Sequence, residues 1–510
     1  MNFLANLLKI LIILVLFAVA ACIVLMGAMV LFPSFSIFGI HYVTGDSKSI
    51  IYYYNVEHEK NIDEWASVDT FYIETDGWDV YVYSNVGVKD AHTENGIDIR
   101  VNRNYAGFAS NSVGEAVLSK YEFKKNKDGN YLSVKMTEPT GWLSKFDTSL
   151  YVYLDDDTLV DKTLSIKTNG GKVVLGESLS KGNPINVNKV IVNSGGNNAY
   201  VQNINIADSL TINKASGDIN IYKNLKCDAN LSITNSWGNI NLNNIGTESD
   251  KKSLIIEHIH NAGVNFGTIY GDLLVNGNMG TVKGKTVTDT VVVDAENCSM
   301  TLEESKEDLF FNNKNGSLSV NKANVVIAGV TDRGSVSIKE LFGNSLINTY
   351  HGNVTVEKVY TDISVGTVNG NIDLTNAKDA NVNFLIESTN GYANIKNIRG
   401  SLKFNTNDKG NASIDASFWE LKGENVINTF SGKVNIDMLD AGYGFMLKDW
   451  YTTNTVFIKL SRFEEFEIKD SLGNDDYKFG VKIGGYSGST DTLSVTTNVG
   501  ALRVVHPELV

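Results

Sequence analysis

Between Phe311 and Ile436 one short pattern keeps returning: an apolar residue, a small polar residue two places on, glycine, then alternating apolar and polar residues. The glycines are Gly316, Gly334, Gly352, Gly370, Gly391, Gly410 and Gly432, with successive spacings of 18, 18, 18, 21, 19 and 22. Self-similarity near 20 residues marks a stacked repeat, in which one coil cannot bury its apolar face without neighbours. Two and four places after the glycines stand pairs such as Ile219 and Ile221, Ile240 and Leu242, Val336 and Ile338, Val354 and Val356. Five places before stand Ile212, Ile233, Ile347, Val365, Ile386 and Ile427. Strand side chains alternate between faces, so all these positions can point into one core. The pattern predicts an all-β protein, a β-solenoid of the parallel β-helix type with coils of about 18–22 residues. Glycine at the bend is expected to supply positive φ, and Thr349, Thr367 and Thr429 to make turn or ladder hydrogen bonds.

The same phase is visible at Ile166, Thr168, Gly171, Val173 and Leu175, and again across residues 494–504. Val293, Cys298, Met300 and Leu302 also fit, with cysteine at the glycine position. Between Asn243 and Asp294 the register slips. The total is about 12–15 coils, each adding about 4.8 Å. A solenoid exposes strand edges and an open apolar end, so its terminal units must differ from the rest. Residues 67–160 read as an N-terminal β-module that caps the stack, 161–440 as the solenoid repeats, and 441–510 as C-terminal coils and cap. In that last part Phe445, Trp450, Tyr451, Phe457, Phe463 and Phe466 are expected to cover the final coil.

Residues 10–32 carry no charge, and a bilayer core needs about 20 apolar residues. Lys9 precedes the run, whereas Asp46, Glu57, Glu59, Asp63 and Glu64 follow it. This asymmetry favours a cytoplasmic tail at 1–9, one transmembrane anchor at 10–32, a juxtamembrane linker at 33–66 and an exported remainder at the cell surface. The alternatives are a cleaved signal peptide, whose apolar core is shorter, and a lipoprotein box at Val19-Ala20-Ala21-Cys22. Tyr52, Tyr53 and Tyr54 suit either a membrane interface or a first strand. The net charge of −14 argues against nucleic acid, which calls for a basic stripe. Cys227 and Cys298 are 71 residues apart, about three or four coils, too far for a disulfide.

Enzymes built on parallel β-helices gather carboxylates on adjacent coils. Here the residues after each glycine are mostly neutral: Asn239, Ser317, Ser335, Asn353, Asn371 and Asn411 at the first place, with Asp218 and Asp373 isolated in different coils. His258 and His260 share a strand face at a spacing that suits metal, without a third ligand in phase. Asp155, Asp156, Asp157 and Asp161 form an acidic turn that lacks the spacing of known calcium loops. His351 stands alone in a turn. No catalytic, cofactor-binding or metal residues are assigned, and no cofactor is expected. The Asn-rich outward rows read as stabilising ladders, with hydrogen bonding to glycans as the alternative.

The T-x-x-G-x-[IV]-x-[ILV] motif at Gly171, Gly352, Gly370 and Gly432, with the segment 150–175 and the closing residues 497–504, resembles bacterial adhesin-like proteins that carry a DUF4097-type β-helical domain. The resemblance covers roughly residues 70–505 and implies a non-enzymatic surface protein that engages a glycan, a cell-wall polymer or a protein. Two other readings stand beside it: an envelope sensor or structural accessory of another membrane protein, and a polysaccharide-acting β-helix enzyme.

Overall fold

The computed structural model describes residues 8–31, 65–85, 97–101, 149–176, 183–231, 237–406, 410–419 and 422–437 with their side chains, together with Leu493 and Val495, and gives the backbone alone for residues 2–7 and for further strands. It is a parallel β-solenoid of about 13 turns with coils of about 19 residues, preceded by one N-terminal helix. The chain divides into two compact units, Met1–Lys214 and Ala215–Val510.

The first unit begins with the helix Asn2–Leu31. Its Leu8–Leu31 stretch of 24 residues is long and apolar enough to cross a membrane; at about 1.5 Å per residue it spans about 36 Å against a hydrocarbon core of about 30 Å. A signal sequence would have the same character. Parallel pairing already starts at Thr70: Thr70–Thr75 and Asp79–Ser84 lie beside Leu159–Thr168 and Val173–Leu175. On their other side lie Tyr131–Met136 and Lys145–Leu154, so a later stretch of chain forms an earlier layer of the stack. Antiparallel strands follow, Lys145–Leu154 against Gly96–Ser110 and Gly96–Ser110 against Lys48–Asn55. This change of direction covers the parallel edge, as an exposed end requires. Tyr52–Tyr54 therefore lie in a strand, while their side chains fall outside the described residues. Trp65 is buried beneath Lys162, whose Nζ lies 5.2 Å from the ring and donates to Val68 O at 2.8 Å.

In the second unit each regular coil contributes one strand to each of two parallel ladders. One runs through Val336–Leu341, Val354–Val359, Ile372–Asn376, Tyr392–Ile398, Ser413–Phe418 and Val434–Met438. The other runs through Ser345–Thr349, Ile363–Thr367, Phe384–Ser388 and Leu402–Asn405 to Glu424–Thr429. Inward residues such as Ile347, Val354, Val356, Ile386 and Ile427 are fully buried, each worth about 1.5–3 kcal/mol relative to exposure. Both ladders resume at Thr492–Thr497 and Leu502–Val505 after an antiparallel excursion through Gly444–Asp449, Thr455–Ile458 and Phe479–Gly484. The side chains of Phe445, Trp450, Tyr451, Phe457, Phe463 and Phe466 lie outside the described residues.

Register defines an unbroken column of small residues at the bend. Gly238 lies opposite Ala262, Ala262 opposite Gly280, and Gly280 opposite Cys298. Two places before the paired Leu318, Val336, Val354, Ile372, Ala393, Ile414 and Val434 the column continues through Gly316, Gly334, Gly352, Gly370, Gly391, Ala412 and Gly432. Two corrections follow. The repeat unit read at Gly410 is centred on Ala412, so the spacings around it are 21 and 20. The demand at this position is chiefly for space rather than positive φ. A Cβ on Gly316, Gly352, Gly370 or Gly432 would fall under 3.0 Å from the carbonyl oxygen of the coil beneath, whereas only some members, such as Gly334 at φ 151 and Gly391 at φ 138, adopt the left-handed region. The apparent slip between Asn243 and Asp294 is one coil of 24 residues, Gly238 to Ala262, followed by two of 18.

Candidate functional site

The outward polar rows are occupied by the solenoid's own hydrogen bonds. At the bend, the backbone N–H that follows several of the column residues donates to a side-chain oxygen one coil below. Ser335 N donates to Ser317 Oγ at 3.1 Å, Asn353 N to Ser335 Oγ at 3.2 Å, and Asn371 N to Asn353 Oδ1 at 2.9 Å. Asn239 N donates to Asp218 Oδ1 at 2.7 Å, so Asp218 is one more acceptor in this series. Ser, Asn and Asp serve alike because each places an acceptor oxygen near its own backbone. Thr349 and Thr367 work at the same bend: Thr349 Oγ1 donates to Gly352 O at 2.7 Å, and Gly370 N donates to Thr367 Oγ1 at 2.9 Å.

Asparagine amides bond coil to coil along the strands. Asn241 donates to Asn220 at 2.9 Å and accepts from Asn265 at 3.1 Å. Asn297 accepts from Asn315 at 3.0 Å, and Asn428 donates to Asn405 at 3.0 Å.

The corrected phase brings a second carboxylate into the row that holds Asp373. The order there is Asp373, Asn394, Asp415, Asn435. Asn394 Nδ2 donates to Asp373 Oδ1 at 3.3 Å, Asn435 Nδ2 to Asp415 Oδ1 at 2.6 Å, and Lys396 Nζ lies 3.7 Å from Asp373. Tyr392 donates its hydroxyl to Asp415, and burial together with that hydrogen bond pushes its pKa up. The two acids are thus separated by an amide and held in donor contacts, an arrangement suited to a ladder.

The other sequence candidates are similarly engaged. Asp156 accepts from Ser84 Oγ at 2.8 Å and from Asn183 Nδ2 at 2.7 Å, and Asp157 from Asn186 Nδ2 at 2.7 Å, so the acidic turn ties neighbouring layers together. Asp161 lies 3.5 Å from Lys162. His258 sits at φ 57, which breaks the two-residue alternation and removes the basis for pairing it with His260 on one strand face. His351 packs edge-on against Tyr350 at 4.5 Å and shares Nδ1 with Asn369 at 3.3 Å. Among the described residues there is no group of three or more His, Cys, Asp or Glu that could hold a metal ion. Cys298 is buried in the column, and burial pushes its thiol up to about 11.

Aromatic side chains stack along the ladders, although Phe342, Tyr360 and Trp419 stay exposed to solvent. Tyr81 and Tyr151 lie 4.7 Å apart and 9° from parallel, and Lys172 caps Tyr200 at 4.9 Å. Phe342 stacks on Tyr360 at 4.8 Å, and Arg399 covers Trp419 at 5.1 Å while bonding Asp379 at 3.2 Å. These contacts follow from column register, which a one-dimensional reading does not supply.

The architecture is that of a parallel β-solenoid whose outward polar rows are largely engaged in coil-to-coil hydrogen bonds. Residues 94–290 match the family model described as Toastrack DUF4097, in agreement with the resemblance drawn from the repeat motif. A crystal structure named "putative cell adhesion protein", from Clostridium sporogenes, aligns over 58% of this chain and 100% of its own, at 10% identity and a TM-score of 0.15. No curated protein matches the chain.

Proposed function

We propose that this is a non-enzymatic surface protein, anchored through residues 8–31 with the N-terminus cytoplasmic, whose solenoid is presented outside the cell for adhesion or envelope interaction. The observation that carries this reading is the fate of the polar side chains. Ser317, Ser335, Asn353, Asp218, Asp156 and Asn241 all act as coil-to-coil acceptors or donors. Groups committed to holding layers together are poorly placed for acid–base work, which needs a titratable group facing substrate. The apolar helix and the Toastrack match support the same reading.

The test is direct. Full-length protein in detergent is screened against immobilised glycans, cell-wall polymers and bacterial surface proteins. Saturable binding to one of these supports adhesion, and failure to bind any of them removes it. A membrane protein co-purifying at fixed stoichiometry would instead favour an envelope accessory. Alkaline carbonate extraction of membranes checks the anchor: the intact chain should stay in the pellet.

A further inference from the structure

One outward row of the second unit is not polar. It runs along the second ladder from Ile255 to Leu385, one residue per coil. Leu274, Ile327, Leu346 and Leu385 are 36%, 41%, 42% and 42% exposed, and Ser364 is its single polar member. The hydrogen bond from Asn312 Nδ2 to Asp294 Oδ1, at 2.9 Å, keeps the row in register between Val292 and Phe310. Lys403 and Asn230 bound it at either end. At about 4.8 Å per coil the row is about 34 Å long. With the flanking rows, each about 6.6 Å away, it makes a face of roughly 600–700 Å². That approaches the ~800 Å² per partner of a stable interface.

We infer that this face pairs with a second copy of the chain, the two stacks lying side by side in the same direction. A straight row with the pitch of a β-ladder is matched by another row of that pitch, and a two-fold axis along the stack sets each coil against its own copy. The residue two places before the row then faces the residue two places after it in the partner. In that arrangement Asp294 meets Thr290, Glu387 meets Asn383 and Glu257 meets Ser253. No two carboxylates oppose one another along the row. Reversing one stack over the same span sets Glu257 against Glu387 and Asp272 against Asp362, so like charges select the parallel pair.

The test uses the full-length chain in detergent with Cys22→Ala, which removes the exposed native thiol and leaves two buried ones. Leu346→Cys should form a covalent dimer with a short bis-maleimide, which spans the roughly 10 Å between facing sheets, because this residue meets its own copy, while Glu357→Cys on the other ladder should not. Leu346→Asp with Leu385→Asp should shift sedimentation from dimer to monomer with the β spectrum unchanged. The inference is overturned if Leu346→Cys stays monomeric in the folded protein, or if both cysteine variants cross-link equally.

Discussion

The ring of Phe266 fills the space that a side chain at Gly284 would need. The two residues face each other in adjacent coils, and a Cβ on Gly284 would overlap the ring. Phe266 is 6% exposed and stands four places after Ala262, where most coils carry an aliphatic residue. One large residue is thus accommodated by an empty position in the next layer.

That pairing predicts a coupled response to mutation. Gly284→Val should destabilise by about 1–3 kcal/mol through overpacking, and Phe266→Ala by about 3–5 kcal/mol through the cavity it leaves. The double variant should be less damaging than the sum, because valine enters the vacated space. Denaturant unfolding of the four proteins measures the coupling, and strict additivity would count against the contact.

The bend column makes a different demand. Gly352→Ala should cost about 2–4 kcal/mol, since the carbonyl that the methyl would meet belongs to the rigid backbone of the adjoining coil. Ala412→Gly should cost no more than about 1 kcal/mol, mainly through chain entropy. Thermal unfolding should therefore separate two substitutions of equal size and opposite direction.

Cys298 gives the chain an alkaline sensitivity. Its folded-state value of about 11 lies above the ordinary 9.0 because burial disfavours the thiolate. The unfolded chain loses this proton first, so the stabilisation is complete below pH 9 and is lost as pH rises towards 11, by a few kcal/mol at most, at about 1.4 kcal/mol for each pH unit between the two values. Cys298→Ala, a residue the column already uses at Ala262 and Ala412, should keep the fold and flatten that part of the pH–stability curve. In the native protein at pH 7–8 the thiol should resist maleimide until the chain is unfolded.

Asn241 links two coils at once. Asn241→Ala should cost about 1 kcal/mol, the net value of surface hydrogen bonds in such a row. The loss should appear as faster hydrogen exchange in residues 219–221 and 264–266, while the far end of the stack keeps its protection.

Much of the architecture was legible because one-sided burial at period two leaves a strong mark, as at Val354, Val356 and Ile372. Phase was harder where both readings satisfy the alternation. Gly410 is followed by Ala412 and Ile414, which imitate the second and fourth places of the motif, and only ladder register shows that Ala412 is the bend residue. The same slip hid Asp415 from the row of Asp373. The repeat motif already places Ile347 inward, but only ladder register shows that its neighbour Leu346 belongs to an outward apolar row. The hydrogen-bonding duty of Asp218 and Asp156 was equally invisible, because their partners sit one coil away, at separations of 21 and 72 residues.

The long coil between Gly238 and Ala262 has a consequence for how such a chain changes over time. Its extra residues leave the stack only after Gly246, close on themselves through the Thr247 and Asp250 backbone hydrogen bonds, and rejoin the ladder at Leu254. The fold therefore polices where each coil returns, and leaves open how far it wanders. New peptide can be grafted at such a corner without a change elsewhere, so sequence drift, epitope variation and engineered tags should all accumulate there first.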